Sequence, residues 1–306
     1  MYMIKNKKHI MQEQMKYFAA ILFLLIFLPI LGTMLLSGKN YVKLSQKDNI
    51  EQLLPSILYR EIPDHYQLET ICAQAVLVRS RVWYEYEKSD YDQKVYDQIL
   101  KENMEYERSH HLQTDRMLLC KEAVKKTKGC VLGYGGRIVS APFCRASNGW
   151  TRSGKEVLKR DDYGWLVGVE SKPDLDYMPK RKPLSFSNDE LYEKLKKIDK
   201  DQKLKKDNFA DHIAISSEDS SGYAMEVEVF GIKIPGEVFR DLLGLPSASF
   251  SISKRDDKIL ITCRGSGHGM GMSQYGADQM AKGGKSWRDI LNYYFPNTQV
   301  MKDKKK

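Results

Sequence analysis

The chain has 306 residues, 42% of them hydrophobic and 29% charged, and a formal net charge of +9. This composition excludes wholesale disorder and leaves room for one large domain or two smaller ones with a real core. Part of the positive charge lies in Lys5, Lys7 and Lys8 and in the tail from Lys302 to Lys306. No basic stripe interleaved with aromatics lies between, so nucleic acid is not an expected partner.

Tyr17 to Leu36 is an uncharged run of twenty positions. A helix of that length reaches about 30 Å, enough to cross a bilayer core. Lysines precede it, so the N-terminus is expected in the cytoplasm and the rest of the chain outside. The exit MLLSGK lacks a small-x-small cleavage pattern, which favours an uncleaved single-pass anchor over a signal peptide. The expected organisation is a basic cytoplasmic segment (1–16), a transmembrane helix (17–36), a linker (37–47), an extracytoplasmic domain (48–300) and a basic tail (301–306). The five cysteines form no C-x-x-C pair, so no closed structural zinc site is indicated.

After the linker, Ile50, Leu53, Leu54, Ile57 and Leu58 recur with helical period, with Pro55 inside the pattern and Glu61 in the last turn. A second helix puts Leu68, Ile71, Cys72, Ala75, Val78 and Val82 on one face, with Glu69, Arg79 and Arg81 off or beside it. Glu61 and Glu69 therefore flank a helix–helix corner. A carboxylate at a helix C-terminus meets the negative end of the dipole, which raises its pKa in the direction a general acid needs. Residues 88–128 read as charged helix, and Cys130 to Val139 as a hairpin turning at Gly135-Gly136. Ala141 to Thr151 begins as strand and ends in a turn, and Trp165 to Val169 reads as a short strand. Pro183 to Asp211 is polar, with a narrow apolar stripe at Leu191, Leu195 and Ile198. A hairpin around Gly231, a helix from Gly236 to Leu245 and strands at 249–252 and 258–263 follow. Helices then run from Ser273 to Lys282 and from Trp287 to Phe295, the second capped by Ser286 with Asp289. The expected fold class is α+β, helices first and mixed strands and helices after, with room for two lobes around a cleft.

Between the last strand and Ser273 lies Gly265-Ser266-Gly267-His268-Gly269-Met270-Gly271, four glycines around one histidine. Such a backbone can bend sharply and lie close to a ligand. It is neither a dinucleotide fingerprint nor a phosphate loop, and G-x-S-x-G and H-E-x-x-H are absent from the chain. The residues alone support an extracytoplasmic polymer-binding or hydrolytic domain.

Gly265 to Ala277, then Met280-Ala281 and Ile290-Leu291-Asn292-Tyr293-Tyr294-Phe295-Pro296, resemble the signature of the stage II sporulation protein D family. Glu61-Ile62-Pro63 resembles that family's E-M-P, and Leu68 to Val76 its L-E-A-L-K-A-Q-A-V. Thr127-Lys128-Gly129, Ser147-Asn148-Gly149-Trp150-Thr151 and Phe239 to Leu245 fit in register, so the resemblance runs from about residue 48 to 300. It implies a membrane-anchored lytic transglycosylase, acting in forespore engulfment, that cuts the β-1,4 bond between N-acetylmuramic acid and N-acetylglucosamine in peptidoglycan. A 1,6-anhydro end is left behind, and a partner amidase strips the stem peptides first. The catalytic carboxylate then falls at Glu61, with Glu69 the second carboxylate of the region. One carboxyl group suffices for this reaction, because the sugar's own 6-hydroxyl is the nucleophile. Gly267, His268, Gly269, Ser273, Gln274, Tyr275, Ser147, Asn148 and Thr151 are the expected substrate-binding set, with a purely structural turn as the alternative for the glycine segment. No cofactor or metal is implied; His110, His111 and Cys120 offer only fragments of the zinc cluster some relatives carry. The competing reading is a non-catalytic glycan-binding enhancer of a cell-wall amidase.

Overall fold

The first of the described helices, α1 (50–61), contains Pro55 in its interior, so one rung of its hydrogen-bond ladder is missing while the helix continues. The computed structural model describes residues 50–302, except 91, 111, 113, 178–181, 200–202 and 256–257. The expected anchor, linker and most of the basic tail lie outside the described residues. Among those described, no helix is long and apolar enough to cross a membrane. The last carbonyls of α1 are met by Arg116, whose Nη2 donates to Tyr59 at 2.5 Å and also to Ile62, while its Nη1 pairs with Asp64 at 2.6 Å. A cation at a helix C-terminus is favoured by the dipole as well as by the orphan acceptors.

α2 (Leu68–Lys88) is the hub. Buried side chains run from Thr70 to Ser80 without a break, and it packs on α3 (Gln93–Ser109), α4 (Thr114–Lys126), β1 (Cys130–Tyr134) and the two C-terminal helices. The one-sided stripe expected from the sequence is thus too narrow, and Arg79 is wholly buried instead of lying off it. Its guanidinium donates to the Val124 and Cys130 carbonyls and the Thr127 hydroxyl, at 3.1 to 3.3 Å, where α4 ends. Those acceptors make its burial tolerable.

β1 turns through Gly135 and Gly136, both left-handed, into β2 (Arg137–Ile138) as expected. β3 (Phe143–Cys144) and α5 (Gly154–Leu158) follow. Trp165–Val169 is not a strand. Leu166 bonds within a turn to Tyr163 and the Val169 carbonyl accepts from Thr151, so the segment joins no ladder. The polar stretch also conceals β4 (Leu184–Ser187) before α6 (Asn188–Leu195), and β5 (Ile213–Glu218) was not foreseen either. β6 (Ala224–Val229), β7 (Ile232–Pro235), α7 (Gly236–Leu243), β8 (Phe250–Arg255) and β9 (Lys258–Cys263) match the expected hairpins and helix. The chain closes with β10 (Met272–Ser273), α8 (Gln274–Lys282), α9 (Trp287–Tyr294) and β11 (Gln299–Lys302).

Among the described residues three antiparallel sheets result, in the orders β11-β1-β2, β4-β9-β8 and β5-β6-β7, with a short parallel pair β10-β3. The last two of the three share one apolar core with α6 and α7, built on Leu191, Val227, Phe239 and Ile261. The architecture is mixed α+β with helices first, in agreement with the sequence reading.

Candidate functional site

Glu61 ends α1 and is held from two sides. Arg81, one helical face along α2, donates to its Oε1. Gln274, at the start of α8, donates to its backbone carbonyl at 3.0 Å and to Gln74 at 3.3 Å. The side chain is 13% exposed, and Oε2 has no hydrogen-bond donor among the described residues. Oε2 is itself buried, so the carboxylate is anchored through one oxygen and keeps an unpaired acceptor on the other that is not presented to solvent.

Glu69 is placed otherwise. One oxygen pairs with Lys126 and the other accepts the Trp287 amide at 2.8 Å, tying α2 to α4 and to the first turn of α9. Burial alone would raise its pKa, but the Lys126 and Trp287 hydrogen bonds and the lysine charge outweigh that and hold it below the usual carboxylate range. With both oxygens occupied, Glu69 is a clamp between helices; the expectation of a second carboxylate facing the same cleft finds no support in its contacts.

The glycine segment does not line open space. β10 lies parallel to β3, with Met272 opposite Phe143 and Ser273 opposite Cys144, and the segment packs against residues 142–147 and Tyr223. A Cβ on Gly271 would sit 1.9 Å from the Pro142 carbonyl oxygen, and one on Gly269 2.5 Å from the Tyr223 ring; both residues have positive φ. Gly267 donates its amide to Pro246 at 2.8 Å and faces Cys144. Gly265, Gly269 and Gly271 are therefore required by protein packing, while Ser266, Gly267, His268 and Met270 between them stay half-exposed. His268 is held within the segment. Its Nδ1 accepts the Met270 amide at 3.0 Å, so that nitrogen carries no proton, and the ring also hydrogen-bonds the Phe143 backbone. Burial lowers its pKa, with Arg240 and Arg152 acting in the same direction against Glu237.

Most of the remaining expected contacts are saturated internally. Ser147 donates its amide (2.7 Å) to Asp174, and its hydroxyl to the same oxygen, while Ser273, the N-cap of α8, donates to the other oxygen at 2.7 Å. Asp174 was not foreseen from the sequence. Its pKa is raised by burial, against those hydrogen bonds. Asn148 uses its amide and both ends of its side chain on Tyr223, Ser221, Ser249 and Trp150. Thr151 pairs with Val169 through backbone and hydroxyl. Gln274 is buried on Glu61 and Gln74. Gly267, His268 and Tyr275 stay half-exposed; the Tyr275 hydroxyl is uncommitted among the described residues, and its ring lies 5.1 Å from that of Tyr177. The structure thus brings Glu61, Arg81 and Gln274 together and gathers Ser147 and Ser273 on Asp174. Cavities of about 890 and 430 Å³ lie elsewhere, beside β1-β11 and between the β5 and β8 edges.

Residues 39–134 match the family model described as Stage II sporulation protein, a span that includes α1, α2 and Glu61 but stops before the glycine segment. The chain is 34% identical over 180 residues to Stage II sporulation protein D of Bacillus subtilis (strain 168), covering 58% of this chain and 50% of that protein. It is 28% identical over 226 residues to the Amidase enhancer of the same organism, covering 58% of this chain and 32% of that one. An uncharacterized protein of Brachyspira hyodysenteriae is 27% identical over 90% of this chain and 71% of its own length. The chain spans about half the length of the curated stage II sporulation proteins D that it matches.

Proposed function

Because the chain carries a stage II sporulation protein domain and is a homologue of the Bacillus stage II sporulation proteins D, we propose that it cleaves peptidoglycan glycan strands as a lytic transglycosylase during sporulation. The observation that carries this reading is Glu61: a scarcely exposed carboxylate at the end of α1, one oxygen on Arg81 and the other buried without a donor among the described residues.

In the proposed reaction, protonated Glu61 gives its proton to the oxygen between N-acetylmuramic acid and N-acetylglucosamine as the C1–O bond breaks. The muramyl 6-hydroxyl attacks C1, its proton returns to Glu61, and a 1,6-anhydro ring remains. No water is consumed, so the second carboxylate of an ordinary glycosidase has no task. A carboxyl that works as an acid must carry its proton, and that state gives up the charge pairing with Arg81.

The proposed setting is the outer face of the cell membrane. The uncharged segment 17–36 is the single-pass anchor, residues 1–16 are cytoplasmic, and glycan strands and a cell-wall amidase are the partners. Protease shaving of intact cells tests the topology: loss of the domain with retention of an N-terminal tag supports it, and protection of the domain refutes it.

A non-catalytic amidase enhancer is the second reading, favoured by the likeness to the Bacillus Amidase enhancer. Mass analysis of denuded glycan strands after incubation separates the two. The enzyme yields anhydro-muramyl ends, whereas an enhancer yields none and accelerates only a co-incubated amidase.

A further inference from the structure

Gln74 is wholly buried on α2, in a stretch of mostly apolar side chains. Other polar groups buried on that helix are matched. Thr70 donates its hydroxyl to Asp278 at 3.4 Å, Arg79 donates to carbonyls where α4 ends, and Ser80 donates to the Val76 carbonyl at 2.6 Å. Gln74 is matched at one end only. Its Oε1 accepts from Gln274 at 3.3 Å, and its Nε2 has no acceptor among the described residues. Turning the amide over does not help. The Glu61 carbonyl can only accept, so it takes the Gln274 nitrogen, and that nitrogen then requires an oxygen from Gln74.

A buried amide left half unpaired is unfavourable, and an apolar side chain of similar length would avoid that cost. What the amide holds is the end of α1. Gln74 and Arg81 stand about two turns apart and share one face of α2. From that face Arg81 donates to the Glu61 carboxylate, and Gln274, lodged between Gln74 and Glu61, donates to the Glu61 carbonyl at 3.0 Å. The Thr70–Asp278 contact is a second rung between α2 and α8, one turn along each helix, and keeps Gln274 in register with Gln74. A carbonyl at a helix C-terminus has no donor within the helix, so holding it fixes the backbone from which the Glu61 side chain departs.

We propose that Gln74 is a positioning residue for Glu61, acting through Gln274: its carboxamide orients the Gln274 amide, which fixes the last turn of α1 and so the place of the Glu61 carboxyl. The inference rests on the glycan-cleaving reading above. In that reading Glu61 gives a proton to the glycosidic oxygen and takes one from the 6-hydroxyl, and both transfers need the carboxyl within hydrogen-bond reach. Gln74 is buried and does not touch the strand, so its loss acts on the rate and not on substrate affinity. The half-matched amide is then a local cost to the fold that the reaction requires.

Gln74→Met tests this, because it keeps side-chain length and volume while removing the amide. Its thermal midpoint is expected to equal or exceed that of wild type. Release of 1,6-anhydro-muramyl ends from denuded glycan strands is expected to fall at least about 10-fold in kcat, with KM within about 2-fold of wild type. Gln274→Met should lose at least as much, and the double variant Gln74→Met/Gln274→Met no more than Gln274→Met alone, since the two act in series. A wild-type kcat in Gln74→Met, a loss confined to KM, or losses that multiply in the double variant overturn the assignment and leave the glycan-cleaving reading standing. A thermal midpoint lowered along with kcat makes Gln74 a packing residue and overturns it as well. Absence of anhydro ends from wild type removes the glycan-cleaving reading and this inference with it.

Discussion

At the scale of single residues, two glutamates eight positions apart have unlike surroundings. Among the described residues, Glu61 keeps one oxygen without a donor, and Glu69 spends both on neighbouring helices. Replacing Glu69 by alanine removes an amide hydrogen bond and an ion pair and is expected to cost about 1–3 kcal/mol, read from urea unfolding. The pH dependence has a definite sign. Because its pKa is lowered in the folded state, the stability Glu69 contributes is present above the unfolded carboxylate value and is lost as pH falls through the folded one. Wild type should therefore lose more stability than Glu69→Ala between about pH 5 and pH 3. Equal losses would show that Glu69 is not a clamp.

At the scale of elements, the seam of β3, β10 and the glycine segment is held by close backbone approach and a neutral histidine. Gly271→Ala puts a methyl group against the Pro142 carbonyl at a positive φ and should destabilise by at least about 2 kcal/mol, measured by thermal unfolding. His268 has its pKa lowered by burial, so its contribution is present above the unfolded histidine value and declines as pH falls through the folded one. A His268→Gln variant should show a flatter stability profile than wild type from about pH 7 downward; a parallel profile would place the imidazole in solvent. This level also shows what the sequence makes legible. The turn at Gly135-Gly136, the Gly231 hairpin and the Ser286–Asp289 capping box are local, and each appears as read. That four alternating glycines signal close approach was legible too. What approaches them was not, because Pro142 and Tyr223 are distant in sequence and no pattern marks them. The same holds for Asp174, a single carboxylate gathering one serine 27 residues before it and another 99 after it.

At the scale of the molecule, Arg152 links distant parts of the chain. Its amide donates to Gly269 at 2.9 Å, and its guanidinium reaches Asp219 on the β5–β6 connection, Glu237 in α7 and the His268 carbonyl. Asp219 contacts it with a side chain only 1% exposed. Arg152→Met leaves that carboxylate buried without its cation, held only by the Ser221 and Tyr223 amides, and a loss of about 3–5 kcal/mol in urea unfolding is expected. A loss below about 1 kcal/mol would mean that the glycine segment and the β5-β6-β7 sheet are held together by other contacts. The burial of Arg79 and Arg152 was invisible in the sequence for one reason: hydropathy assigns arginine to the surface, and only the carbonyls and carboxylates that meet it in space permit otherwise.

The central claim is that Glu61 is the acid and base of a glycan-cleaving site. Denuded glycan strands incubated with wild type and with Glu61→Gln, followed by mass spectrometry of the products, test it directly. Wild type is expected to give 1,6-anhydro-muramyl ends, and Glu61→Gln to release them at least about 100-fold more slowly, within the range that general acid–base catalysis supplies. Release by Glu61→Gln at the wild-type rate, or no anhydro ends from wild type, would contradict it.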